Sequence, residues 1–346
     1  MTEKRNSTKP ATATDVARLA GVSQSTVSRV FTKDCKIKVH EDARRRVMQA
    51  AEQLGYVPNA IAQIMTSGRS GIIGILVSDY FNLFYYQVLQ LLMNALKTRG
   101  LRAMVFTSDP KDDLNELMEN MYQYQVDGVV ITSSALSHKL PHRWIQKGMP
   151  VVLINGYLQG MNISAVQSDQ FGSGVMMADY LVKTGHCRFA YVSSENSLHH
   201  NYIPRQQGFI KGLLEHGVTD CRVIPAGYSY ESGLMAGREL VKGREIPDAI
   251  FCSGDLNALG VIDAIRENTD LKIGRDVSVT GYDAPVLREL TAYSLTALSQ
   301  QMDRLCEDCL DLLMRLIDHS ELPPQVITRP MQLTVRKSSR PWDTQG

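Results

Sequence analysis

The chain has 346 residues, 44% hydrophobic and 21% charged, with a formal net charge of +1. That length exceeds one ordinary core and fits two or three domains, and the balance describes a globular chain, which excludes disordered and collagen-like classes. No apolar run reaches the roughly 18 residues that span a bilayer, and the polar start MTEKRNSTKP lacks the apolar centre of a secretory signal, so a cytoplasmic protein without a membrane partner is expected.

The small total charge conceals an asymmetry. Through Arg69 there are twelve Lys or Arg against six Asp or Glu, and beyond it 25 against 30. A basic head is what a polyanion-binding module requires, although a solvated helix face gives the same count. Within that head, Thr12 followed three residues later by Asp15 predicts a capping box and the start of a helix. Val16, Leu19 and Ala20 recur at helical spacing, and Gly21 supplies the residue that turns the chain. Ser23 can cap a second helix through Phe31, with Val27 and Val30 facing back and Gln24, Ser25, Ser28 and Arg29 facing out. Two short helices around a glycine corner make a helix-turn-helix. Gln and Arg can match base edges in the major groove with paired hydrogen bonds, while short hydroxyl side chains can bind phosphates. A third helix is predicted in HEDARRRVMQAAEQLGY, with Val47, Ala50, Ala51 and Leu54 as its apolar stripe and Gly55 at its end. The stretch VPNAIAQIMTSGRSG then reads as a linker opened by Pro58.

Taken together, DVARLAGVS, STVSRVF and LGYVPN stand in the order found in the headpiece of the lactose-repressor (LacI/GalR) family of transcriptional regulators, which residues 12 to 68 resemble. The resemblance implies that Gln24, Ser25 and Arg29 read bases, that Thr12, Ser23, Thr26 and Ser28 contact phosphates, and that Asn59 also touches DNA. It further implies a hinge that becomes helical on the operator, with an apolar wedge entering the minor groove at the position of Met65. The chain departs from the family in its loop FTKDCKIKV, two residues longer than usual, and in His40, which stands where a serine cap is usual.

From Gly71 onward, GIIGILVSD, RAMVFTSD, DGVVITSS, PVVLINGY, RFAYVSS, AIFCSGD and VSVTGYD read as strands between amphipathic helices. Near-continuous apolar strands of this kind predict an α/β fold with parallel sheets covered on both faces, and about 270 residues favour two such sheets. The resemblance extends over this region, implying two Rossmann-like lobes similar to type I periplasmic sugar-binding proteins. The expected organisation is a headpiece over 1–57, a hinge over 58–70, a core over 71–340 and a tail over 341–346. Within the core, the N-lobe is expected over 71–165 and 297–323 and the C-lobe over 166–296 and 324–340.

Ligands of open parallel sheets bind beyond the carboxyl ends of the strands. Those ends supply Asp79 beside YFNLFYY, Asn155, Tyr157, Asp169, Asp255 and Asp283, with Arg205 in PRQQGF. Carboxylates, amides and aromatic rings suit a sugar, sugar acid or similar effector. Each acid taken alone is more common as a helix cap or turn residue. By resemblance, Arg205 and Asp283 are the strongest effector contacts, and Phe84 and Tyr85 lie where the family often stacks a ring.

No Gly-x-Gly-x-x-Gly turn follows the first strand, no GxxxxGK occurs, and no triad or metal-ligand spacing is present, so no catalytic residue, metal or cofactor is expected. The six cysteines are expected to be reduced and mostly buried. The partners implied are double-stranded operator DNA, a small effector and a second copy of the chain in a homodimer, whose contact surface includes the helix from Tyr86 to Leu96. An enzyme and a solute carrier are the rival classes; turnover would mark the first, and ligand binding without DNA affinity the second.

Overall fold

A computed structural model of the chain describes residues 11–31, 39–57, 68–78, 83–108, 112, 114–132, 148–156, 162–194, 202–243, 245–282 and 290–341. The chain divides into two compact units, Met1–Gly71 and Ile72–Gly346.

Among the described residues of the first unit are three helices, α1 (Ala13–Ala20), α2 (Gln24–Phe31) and α3 (Glu41–Leu54). The capping box forms as the spacing predicts: Thr12 Oγ1 accepts from Asp15 N at 3.3 Å, and Asp15 Oδ2 accepts from Thr12 N at 3.0 Å. Gly21 ends α1 at φ +62°, which lets Val22 N donate to Ala17 O at 3.0 Å and closes the helix carbonyls. Gly55 closes α3 in the same way, with Tyr56 N donating to Ala51 O at 2.8 Å. Val16, Ala17, Ala20, Val27, Val30, Val47, Ala50 and Ala51 form the core. Leu19 is 49% exposed, so Ala17 takes the inward place that the periodicity gives to Leu19. So small a core tolerates close helix approach because most of its members are Ala and Val.

The second unit contains two six-stranded sheets. One holds β1 (Ile72–Ser78), β2 (Arg102–Ser108), β3 (Gly128–Thr132), β4 (Val151–Ile154), β5 (Ser164–Ser168) and β11 (Val326–Arg329) in the order β11-β5-β4-β3-β1-β2. The other holds β6 (Phe189–Ser193), β7 (Cys221–Pro225), β8 (Ala249–Cys252), β9 (Ser278–Tyr282), β10 (Thr296–Ser299) and β12 (Gln332–Thr334) in the order β12-β10-β9-β8-β6-β7. Among the described residues all strand pairs are parallel except β10 with β12. Helices α4 (Leu83–Thr98) and α10 (Met302–Asp318) cover one face of the first sheet, and α5 (Leu114–Gln123) lies on the other. On the second sheet, α6 (Gln170–Lys183) and α7 (Tyr202–Glu215) cover one face, and α8 (Tyr230–Val241) and α9 (Asp255–Asn268) the other. Burial on both faces is what the unbroken apolar strands dictate.

The chain passes between sheets three times, after β5, after β10 and after β11. Each passage falls a few residues later than the expected boundaries at 165, 296 and 324. The reason is pairing: β5 and β11 stay in register as far as Ser168 opposite Arg329, and β10 stays bonded to β12 as far as Ser299 opposite Gln332. Every passage leaves from the carboxyl end of a strand, so the carboxyl edges of both sheets meet at the junction. Ser168 Oγ donates to Gln300 Oε1 at 2.7 Å, Asp169 N to Arg329 O at 2.8 Å, and Gln301 Nε2 to Pro330 O at 3.1 Å, tying the three passages together.

Candidate functional site

In the first unit, the functional surface is the outer face of α2. Ser23 caps it, accepting from Thr26 N at 3.2 Å, and its Oγ lies 2.8 Å from Ser25 Oγ and 2.9 Å from Thr26 Oγ1. Gln24, Ser25 and Arg29 are exposed and Ser28 and Thr26 half-buried, while Val27 and Val30 anchor the opposite side. The hydroxyls of Ser23, Ser25 and Thr26 therefore form one cluster at the positive end of the α2 dipole, a place that favours phosphate oxygens. Thr12 is also exposed, with its hydroxyl donating to Asp15 Oδ2 at 2.6 Å. That bond from Thr12 holds the Asp15 carboxyl below its usual range. His40 does cap α3, with Nδ1 accepting from Asp42 N at 3.4 Å, the ring nitrogen replacing the more usual hydroxyl. Asn59 and Met65 lie outside the described residues.

In the second unit, the polar groups gather at the carboxyl ends of β6, β8 and β9. The order of the second sheet changes direction at β6, which has β7 on one side and β8 on the other, the place where open parallel sheets take ligands. Arg205 projects from α7, the helix that follows β6, and is only 3% exposed. Its Nη1 donates to Ser253 O at 2.5 Å, while Nη2 and Nε donate to Gln170 Oε1 at 2.7 and 3.3 Å. The guanidinium lies 3.1 Å from the centre of the Tyr282 ring, a stacked cation–π arrangement. The Tyr282 hydroxyl donates to the same Gln170 oxygen at 2.7 Å. Ser194 and Ser253 hydrogen-bond across the ends of β6 and β8.

Backbone contact between α6 and α7 fixes this geometry. A Cβ on Gly174 would fall 2.2 Å from Arg205 O, and one on Gly208 would fall 2.0 Å from Phe171 O. Only glycine allows the two helices to approach so closely, and the register that results places Gln170 opposite Arg205. Below them, Tyr191 packs edge-on against Phe251, with ring centres 5.4 Å apart, and complete burial pushes its phenol pKa upward.

Other expected contacts stand elsewhere. Phe84 and Tyr85 begin α4 just beyond β1, but they are 4% and 9% exposed, pack edge to face at 5.0 Å, and belong to the apolar cluster under α10. Asp255 is 2% exposed in the first turn of α9, its Oδ1 2.3 Å from where a Cβ on Gly281 would fall, so it faces the interior of the lobe. Asn155, buried at the end of β4, adopts φ +59°, and its N–H donates to Val166 O at 2.8 Å. Asp169 is an α6 cap, accepting from Gly172 N at 2.8 Å. Asp79, Tyr157 and Asp283 lie outside the described residues.

Sequence reading missed Gln170, Tyr282, Ser194 and Ser253. The signal available for Gln170 is its place directly after a capping aspartate at a strand end; the serines carry none beyond their strand-end positions. No group of three or more His, Cys, Asp or Glu able to hold a metal ion occurs among the described residues. Cys252, Cys306 and Cys309 are buried, and burial pushes the Cys306 thiol up to about 12, out of the reactive range. No helix among the described residues is long and apolar enough to cross a membrane.

Comparison with known proteins agrees with both parts of the chain. The sequence profile of the bacterial regulatory proteins of the lacI family matches residues 12–59, and that of the periplasmic binding protein-like domain matches residues 178–339. Catabolite control protein A of Priestia megaterium is 28% identical over 329 residues, which cover 94% of this chain and 98% of the relative. The HTH-type transcriptional repressor PurR of Mannheimia succiniciproducens is 28% identical over 334 residues, covering 95% and 98%. Among solved structures, the transcriptional regulator CelR in complex with cellobiose is similar with a TM-score of 0.69 and 27% identity, covering 95% of this chain and all of that one.

Proposed function

The chain belongs to the lacI family of bacterial regulatory proteins, and on that footing we propose that it represses transcription as a homodimer whose hold on operator DNA is set by a sugar or sugar derivative. Repression is supported by the likeness to PurR, a repressor by name, and the effector class by the likeness to CelR, whose structure contains cellobiose. Gln24, Ser25 and Arg29 read bases; Ser23, Thr26 and Ser28, with Thr12, hold phosphates, and Asn59 and Met65 act in the hinge. A dimer follows from physical need, because one recognition helix reads too few base pairs for useful selectivity. The exposed Tyr86 and Met93 of α4 offer an apolar surface for the partner.

The observation that carries the reading is α2, a helix capped by Ser23 whose inward face buries Val27 and Val30 and whose outward face carries Gln24, Ser25 and Arg29. In the core, Arg205 with Tyr282, Gln170 and the Ser194–Ser253 pair forms the effector site, completed by Asp79, Tyr157 and Asp283. An effector changes operator affinity only as far as it prefers one state of the protein, typically about 1 to 3 kcal/mol.

The test has two arms. Selection from a random duplex library should enrich a near-palindromic sequence, and thermal-shift screening against sugars, sugar acids and sugar phosphates should find a selective stabiliser. No enriched DNA would overturn the regulatory reading; a stabiliser found only among other compound classes would overturn the effector class.

A further inference from the structure

We infer that Gln170 is a positioning residue that links Arg205 and Tyr282 to the three passages between the lobes. The inference rests on the reading of Arg205 as an effector contact. Three donors converge on Gln170 Oε1: Arg205 Nη2 at 2.7 Å, Arg205 Nε at 3.3 Å and the Tyr282 hydroxyl at 2.7 Å. An amide oxygen has two lone pairs, so three donors compete for it, and any ligand oxygen that takes one redistributes the others.

Gln170 is also the second residue beyond β5, where the first passage begins. Its neighbour Asp169 donates through N–H to Arg329 O at 2.8 Å and accepts from Gly172 N at 2.8 Å. One residue earlier, Ser168 Oγ donates to Gln300 Oε1 in the second passage. The third passage is held in turn by Arg329, whose Nε and Nη2 meet the Asp308 carboxylate of α10 at 2.5 and 2.7 Å. A paired arginine–carboxylate contact of this kind resists rotation. The backbone of residues 168–170 thus has little freedom to move by itself: a change in what Gln170 holds reaches Asp169, and through it Arg329 and α10. The side chain that senses the occupancy of Arg205 is within two residues of the bonds that set the inter-lobe junction.

Hydrogen–deuterium exchange on the full-length protein, with no DNA or sugar added, tests this directly. Gln170→Ala should raise exchange about tenfold in peptides covering 168–170 and 329–331, while leaving β1 unchanged. Gln170→Glu should restore protection, because a carboxylate accepts from the same donors with charge assistance. Tyr282→Phe removes one donor while keeping Gln170 and should loosen the same passage peptides. Three results would overturn the inference: changes confined to peptides around 205 and 282, a uniform rise across the core, or failure of Gln170→Glu to restore the passages. Since neither DNA nor effector takes part, these outcomes stay distinct from a failed library selection or sugar screen.

Discussion

The carbonyl oxygen of Arg205 stands 2.2 Å from the place a Cβ on Gly174 would occupy. The side chain proposed to meet the effector is therefore positioned by a glycine on the neighbouring helix that has no side-chain chemistry to offer. Gly174→Ala must push α7 away from α6 and carry Arg205 with it. We expect a stability loss of about 1 to 3 kcal/mol in urea unfolding, as in other overpacked cores, and loss of the thermal shift given by whichever sugar stabilises the wild type. Selection of DNA by the variant should be unaltered. A variant of normal stability that keeps its sugar response would show that the two helices can part without moving the site.

Arg29 is exposed at the carboxyl half of α2, beyond the hydroxyl cluster at its start. If it makes a paired contact with a guanine, Arg29→Ala costs roughly 1 to 3 kcal/mol on the selected operator and relaxes preference at one base position. Affinity measured on the operator and on single-base variants separates this from phosphate binding, which would weaken all sequences alike and flatten the salt dependence.

Ser23 offers a way to separate the stability of the headpiece from its grip on DNA. Its Oγ accepts the Thr26 amide at 3.2 Å, so Ser23→Ala should cost the α2 start about 1 kcal/mol. Ser23→Asp keeps a good cap but brings a negative charge to the phosphate-facing cluster. Amide exchange over residues 24–31 should remain protected in the aspartate variant while operator affinity falls at low salt. Equal affinity for wild type and Ser23→Asp would remove Ser23 from the phosphate contacts.

Much of this was legible in the sequence because the signals were local. Both headpiece caps, the Gly21 corner and the seven apolar strands depend on residues within one or two turns of each other. Five strands escaped: β7, β11 and β12 lie at sheet edges and are partly exposed, and β5 (SAVQS) and β10 (TALS) are short and break their apolar residues with polar ones. The passages were placed early because strand ends are set by a partner far away in the chain, as Ser168 is by Arg329. Gln170 escaped for the same reason, since nothing in DQFGSG announces that its amide will meet Arg205, 35 residues on. The burial of Phe84 and Tyr85 likewise depends on α10, more than 200 residues later in the chain.

His186 supplies a pH dependence with a defined direction. The ring is buried between the end of α6 and the start of β9: Nδ1 lies 2.9 Å from Leu181 O, and Nε2 lies 2.8 Å from Ser278 Oγ, which itself accepts from Arg340 N at 3.0 Å. With Nδ1 donating to the carbonyl, Thr184 Oγ1 standing 3.0 Å from the same nitrogen, and Nε2 accepting from the serine, the neutral ring fits its surroundings, whereas an imidazolium would turn a second proton toward the Ser278 oxygen. Burial moves its pKa below the ordinary value of 6.5. The unfolded chain therefore binds more protons than the folded one once the pH drops through 6.5, and stability must fall as acid is added; above that value the contribution of the neutral ring is fully present. Thermal melts of wild type and His186→Gln between pH 7.5 and 5 should show the wild type losing more of its melting temperature on the acid side, with the two curves parallel above pH 7. Parallel curves throughout would mean that the ring titrates alike in both states, and that the serine-rich carboxyl segment is held without regard to its charge.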